Sequence, residues 1–190
     1  STSSGEGKTT CSICLARTTA MAGIKTLLID ADTRRTATSR TMSLGREIGL
    51  LDVLDGSATL DDALLLDEST GMYLLPQKGR GIPNLDALQS TRMEELLERL
   101  RARFDFIVID TAPVLPVAET KALAAMADVT LLVVRWRQTK VRNVQMTIQQ
   151  LRRADATLLG TLLTQVNLKA TAMLRKDEMY YEPYYQPPAQ

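Results

Sequence analysis

Residues Ser1-Thr-Ser-Ser-Gly-Glu-Gly-Lys-Thr-Thr10 decide the fold, because they combine two glycines with a lysine and two hydroxyls at the start of a helical pattern. Gly5 and Gly7 permit backbone conformations that turn successive N–H groups inward, towards phosphate oxygens. Lys8 is placed to reach the β- and γ-phosphates, and the Thr9 hydroxyl to ligate Mg²⁺. A helix starting at about Lys8 adds its positive dipole end. Ser4, Gly5, Glu6 and Gly7, with Lys8, Thr9 and Thr10, are therefore the expected phosphate-binding residues. The strict G-x-x-x-x-G-K-[ST] pattern is not met, since Thr2 stands where its first glycine belongs. A glycine-rich turn with a purely structural role is the alternative. Such a loop ordinarily follows a buried strand, and the sequence is expected to be a piece of a longer chain that supplies one.

Two further stretches belong with this loop. In Leu27-Leu-Ile-Asp-Ala-Asp-Thr-Arg-Arg35 an apolar run ends in Asp30 and Asp32. Open α/β sheets place ligands at the C-terminal ends of their strands. Two residues apart on extended chain, these carboxylates can point the same way, one towards Mg²⁺ and one towards a nucleophile; the competing role is capping of a following helix. In Phe104-Asp-Phe-Ile-Val-Ile-Asp-Thr-Ala-Pro113 an apolar strand ends in Asp110. This is a Walker B arrangement, whose carboxylate holds Mg²⁺ directly or through water. Each stretch supplies a different part of one Mg²⁺–triphosphate site.

The rest of the chain fits that reading. Thr26–Ile29, Met72–Leu75, Phe104–Ile109, Val129–Val134 and Leu158–Val166 are short apolar runs, expected as strands buried on both faces of a parallel sheet. Between them, Met93, Leu96, Leu97 and Leu100 follow helical spacing, with Thr91 and Glu94 as an expected capping box. Val141, Val144, Ile148 and Leu151 mark a second amphipathic helix. The alternation predicts an α/β fold, a doubly wound and mostly parallel sheet flanked by helices. No internal repeat and no second globular domain is visible. Residues 1–169 are expected to form the P-loop domain, and residues 170–190 a flexible tail.

Composition narrows the chemistry. The 190 residues are 45% hydrophobic, enough for one α/β core. A net charge of +1 gives no basic field for nucleic acid, which is not expected as a partner. The absence of histidine removes imidazole acid–base chemistry and His-containing metal sites. Cys11 and Cys14 lie three apart in a helical stretch; they are expected as small buried side chains on one face, not as a redox or zinc pair. No run approaches the roughly 18–20 apolar residues of a membrane span, and no signal peptide is present.

The last segment has a different character. Four of the five tyrosines, Tyr180, Tyr181, Tyr184 and Tyr185, lie among the final eleven residues, and three prolines among the final eight. Those prolines forbid a regular helix or central strand. The tyrosines read either as a sticky interaction tail or as phosphate acceptors. A tyrosine hydroxyl has a pKa near 10, so transfer to it needs a carboxylate to accept its proton, and Asp30 is the candidate.

These residues together resemble a family. Gly-Glu-Gly-Lys-Thr-Thr, Leu-Leu-Ile-Asp-Ala-Asp-Thr-Arg-Arg, Phe-Ile-Val-Ile-Asp-Thr-Ala-Pro and the terminal tyrosines are similar to the corresponding motifs of the bacterial tyrosine autokinases. Those are the cytoplasmic catalytic domains of the capsular and exopolysaccharide co-polymerases, within the deviant-Walker P-loop superfamily. The resemblance implies autophosphorylation on the tyrosine cluster, with ATP and Mg²⁺ as cofactors. It implies Lys8, Asp30, Asp32 and Asp110 as catalytic residues, and Thr9, Asp32 and Asp110 around the metal. It implies a ring-shaped homo-oligomer in which one subunit's tail enters its neighbour's site. It also implies a membrane activator segment, fused upstream or separate, that holds the domain at the cytoplasmic face of the inner membrane. Thr164 stands where relatives often carry Asn near the nucleotide base, so Gln165 or Asn167 is expected to serve there. Leu85 replaces a proline usual beside Asn84. Arg34 and Arg35 could steer the tail, stabilise phosphate charge or be merely solvated. A partitioning-type nucleotide switch of the same superfamily is the main alternative. Such proteins carry an extra lysine early in the loop, and positions 1–4 here are Ser-Thr-Ser-Ser. A catalytically silent scaffold is a third reading, opposed by the intact Lys8, Thr9, Asp30, Asp32 and Asp110.

Overall fold

The computed structural model describes residues 1–42, 48–77 and 85–168. The expected tail, its four tyrosines and Asn84 lie outside the described residues. Helix α1 (Lys8–Met21) leads into strand β1 (Thr26–Ala31), followed by three short helices, α2 (Ala37–Met42), α3 (Leu50–Asp55) and α4 (Leu60–Ala63). Strands β2 (Leu65–Asp67) and β3 (Met72–Leu75) come next, then a 3₁₀ turn (Leu85–Gln89) and α5 (Thr91–Arg101). The order closes with β4 (Phe106–Thr111), α6 (Glu119–Met126), β5 (Thr130–Arg135), α7 (Val141–Arg153) and β6 (Leu158–Thr164).

The sheet order is β2-β3-β1-β4, with β1 parallel to both neighbours. Every residue of β1 is buried, as expected for a central strand covered on both faces. Its alternation divides two cores. Leu27 and Ile29 join Leu50, Leu97, Leu100 and Phe104 on the face covered by α3 and α5. Leu28 joins Ile13 and Ala16 of α1 on the other. Burying each leucine or isoleucine contributes about 1.5–3 kcal/mol, so β1 is the strand on which the two layers are assembled. Strands β5 and β6 form a separate parallel pair. Between β4 and β5 lies a largely apolar cleft of about 790 Å³, with Ile107, Ile109, Leu132 and Leu162 in its lining and Lys8 and Asp110 among its few charged groups.

Several sequence expectations shift by physical cause. The strand expected over Phe104–Ile109 begins at Phe106, because the Phe104 N–H closes α5 on Leu100 O and the Asp105 and Phe106 N–H groups bond Lys25 O. At their other ends β1 and β4 run on through the carboxylates, because Asp30 pairs with Asp110 and Ala31 with Thr111. The strand expected over Leu158–Val166 stops at Thr164, where Gln165 adopts φ 53°. The antiparallel edge strand β2 was not expected. Thr91 and Glu94 do not form the expected capping box: Ser90 is the N-cap residue of α5 and makes no side-chain cap, its hydroxyl donating instead to Ala87 O. Cys11 is half-buried and Cys14 exposed, not buried together, because the covered face of α1 is carried by Ile13 and Ala16.

Candidate active site

Because β1 and β4 are adjacent and parallel, their two terminal carboxylates arrive side by side, Asp30 opposite Asp110. The loop before α1 crosses the same sheet end, anchored where the Val114 N–H donates to Ser1 O at 2.9 Å. Gly5 and Gly7 stand at φ 80° and 88°, a conformation costly for any residue with a Cβ. Gly7 is the N-cap residue of α1. The first turn of α1 thus faces the strand ends with Lys8 half-buried.

Asp110 collects hydroxyl donors. Its Oδ2 accepts from Thr9 Oγ1 at 2.8 Å and from Thr38 Oγ1 at 2.6 Å, and its Oδ1 accepts from Ser12 Oγ at 3.2 Å. Asp30 is fully buried, and its Oδ2 accepts both the N–H and the hydroxyl of Ser39, at 2.9 and 2.6 Å. Burial first, and the nearby Asp110 charge as well, outweigh the Ser39 hydrogen bonds and push the Asp30 carboxyl up to about 6. Asp32 Oδ1 accepts the N–H groups of Arg34 and Arg35, at 3.2 and 3.1 Å, so this carboxylate also shapes the turn that follows. Burial pushes the Lys8 ammonium down, while Asp110, Asp32 and Glu6 pull it back.

The structure therefore brings Lys8, Thr9, Asp30, Asp32 and Asp110 to one sheet end. Ser4 and Thr10 lie exposed around it. The Glu6 side chain is turned inward and is 2% exposed. Gln165 Nε2 donates to Gly5 O at 3.2 Å, and Thr164 Oγ1 to Glu6 O at 2.6 Å, so both residues support the loop. Asn167 is exposed. Arg34 and Arg35 are exposed, Arg34 lying 3.9 Å from the buried Glu119 carboxylate.

Among the described residues no three carboxylates or cysteines close on one metal-sized point. The oxygen pair of Thr9 and Asp110 still fits Mg²⁺, a hard cation that takes one or two protein oxygens and completes its octahedron with phosphate and water. Sequence reading missed Ser12, Thr38, Ser39 and Thr139. Ser12 was findable, lying three residues beyond Thr9 on the same helical face. The other three carry no local signal.

Comparison with known proteins adds the lineage. Residues 2–164 match the AAA domain family model. The chain is 36% identical over 166 residues to the tyrosine-protein kinase CpsD of Streptococcus pneumoniae, covering 86% of this chain and 73% of that protein. It is 31% identical to the succinoglycan biosynthesis transport protein ExoP of Rhizobium meliloti over 86% of this chain, but only 21% of that much longer protein. The crystal structure of the VpsO kinase domain superposes with a TM-score of 0.82 at 34% identity, covering 87% of this chain and 81% of that one.

Proposed function

Since the chain belongs to the AAA domain family and, within it, to the bacterial tyrosine-protein kinases of capsule and exopolysaccharide biosynthesis, we propose that it transfers the ATP γ-phosphoryl group to tyrosines of its own C-terminal cluster. The observation that carries this reading is the hydrogen bond joining Thr9 of the phosphate loop to Asp110 at the end of β4, beside Asp30. Phosphoryl transfer needs positioning and charge stabilisation more than covalent chemistry, and this sheet end supplies both. The loop N–H groups and the start of α1 hold the phosphates, and Lys8 stabilises charge on the transferred group. Thr9, Asp32 and Asp110 would hold Mg²⁺, which when bound would neutralise phosphate charge. Gln165 and Asn167 serve the nucleotide base, a role that the hydrogen bond from Gln165 Nε2 to Gly5 O supports for the first of them.

Asp30 accepts the proton of the tyrosine hydroxyl as the new O–P bond forms, the bond to the β-phosphate oxygen breaks and ADP leaves. For this the tyrosine hydroxyl takes the place held by Ser39 Oγ, 2.6 Å from Asp30 Oδ2. The exposed Arg34 and Arg35 attract a tail that carries Asp177, Glu178 and Glu182. Acceptor and site belong to neighbouring copies in a ring. A membrane activator segment, fused or separate, places the domain at the cytoplasmic face of the inner membrane. The transport protein among the relatives, of which this chain spans 21%, supports a fused arrangement.

The test is mass spectrometry of the tryptic peptide Asp177–Gln190 from cells expressing the chain. Added phosphates on Tyr180, Tyr181, Tyr184 and Tyr185 are expected. Changing all four to Phe should remove most self-labelling and leave nucleotide affinity within about twofold. Labelling that persists in that variant would move the acceptors elsewhere.

A further inference from the structure

Glu6 is the one acidic side chain in the phosphate loop, and a carboxylate is the wrong charge to present to a triphosphate. The fold removes it from that face. Its oxygens accept from the Thr2 N–H and hydroxyl at 2.7 and 2.6 Å, and from the Ser3 N–H and hydroxyl at 3.1 and 3.2 Å. A fifth donor comes from 133 residues away: Thr139 Oγ1, at 2.5 Å. Burial pulls the Glu6 carboxyl up, but the hydrogen bonds from Thr139, Thr2 and Ser3 outweigh it and hold it at about 2. The side chain stays ionised and turned inward at neutral pH.

Thr139 is itself tied down, since its oxygen accepts the Arg135 N–H at 3.1 Å. The main chain of Glu6 is gripped as well, its carbonyl accepting Thr164 Oγ1 at 2.6 Å. The two threonines are connected through the turn after β5, where the Trp136 N–H donates to Thr164 O at 3.0 Å. In that turn Arg137 holds φ 54°, with its guanidinium over the Trp136 ring at 4.7 Å. Hydroxyl bonds to a buried carboxylate are charge-assisted and directional. They fix both the rotation of Glu6 and, through it, the direction of the N–H groups on either side.

We infer that Glu6, Thr139 and Thr164 form a clamp that holds the phosphate loop in its binding shape and couples its occupancy to the turn carrying Trp136. Thr139 and Thr164 are positioning residues acting through Glu6, which touches no phosphate with its side chain. The inference rests on the reading of residues 4–10 as the nucleotide site.

Trp136 is the chain's single tryptophan, so the coupling has its own optical signal. Mg²⁺–ADP is titrated into the 190-residue chain and its T139V, T139S and T164V variants, following Trp136 emission and, independently, binding by calorimetry. The wild type should change emission on binding. T139V should bind about tenfold more weakly, the scale of one charge-assisted hydrogen bond, and lose most of the emission change. T139S, which keeps the hydroxyl, should recover both, and T164V should weaken binding in the same sense. Wild-type binding with T139V and T164V indistinguishable from it in affinity and emission overturns the clamp alone. Equal losses in T139V and T139S overturn it too, because T139S keeps the hydroxyl and the clamp requires it to keep the binding and the emission change. A wild type that binds no Mg²⁺–ADP overturns the nucleotide site and the clamp together.

Discussion

Lys8→Met is expected to lower self-phosphorylation by at least a hundredfold to a thousandfold, the scale for removing one preorganised charge donor. The folded chain should remain intact. Burial already pushes the Lys8 ammonium down, with Asp110, Asp32 and Glu6 opposing, so the cation is held in the fold at a desolvation cost that methionine does not carry. Methionine keeps the apolar stem. The nucleotide-free melting temperature should therefore stay within a few degrees of wild type while phosphotyrosine disappears from the C-terminal peptide. The two readings must be taken on the same preparation. Phosphotyrosine persisting in the variant removes Lys8 from the site, and a collapse in melting temperature would show that the lysine is a structural counter-ion.

Asp30→Asn is expected to do two opposite things. As the proposed base, its loss should cost about 10²–10⁴-fold in rate, and the wild-type rate should rise with pH through about 6, where the carboxyl ionises. Stability should move the other way. The Asp30 carboxyl titrates near 6 in the folded chain against 3.8 for the ordinary side chain, because it is buried. A folded pKa above the unfolded one means the folded state holds the extra proton between about pH 4 and 6. The stabilisation from that proton is complete below about pH 4 and lost above about pH 6. It amounts to on the order of 3 kcal/mol, and asparagine does not lose it. Without nucleotide or metal, the variant should melt level with wild type near pH 4 and several degrees higher at pH 7.5. A variant that melts lower at pH 7.5 would refute the burial cost; one that phosphorylates normally would refute the base.

Opposed effects of this kind are expected where a buried carboxylate is kept for chemistry. They also show why some of the site was legible and some was not. Gly5 and Gly7 could be read because the left-handed backbone they adopt is open to few other residues. Asp30 and Asp110 could be read because each follows an uninterrupted apolar run, and open α/β sheets place their ligand sites at the C-terminal ends of such strands. The Met93, Leu96, Leu97 and Leu100 stripe could be read because all four positions meet one core. Cys11 and Cys14 show the limit of spacing alone: three residues apart on α1, they nevertheless leave the covered face to Ile13 and Ala16. The capping box expected at Thr91 and Glu94 failed for a similar reason: the N-cap position falls on Ser90, whose hydroxyl donates back to Ala87 O of the 3₁₀ turn and caps no N–H of α5.

By itself the sequence determined the parallel strands and the amphipathic helices α5 and α7, the glycines at which the phosphate loop takes φ above zero, and the carboxylates that stand at strand ends. Those properties follow from backbone sterics and from periodicity within a few residues. Only the tertiary structure decided that β1 and β4 are neighbours in register, so that Asp30 lies opposite Asp110. It also decided that Thr38 and Ser39 of α2 meet those two carboxylates. Thr139 reaches Glu6 across 133 residues by the same route. A hydroxyl's partner is chosen by how helices and strands pack, and no local preference of serine or threonine records that choice.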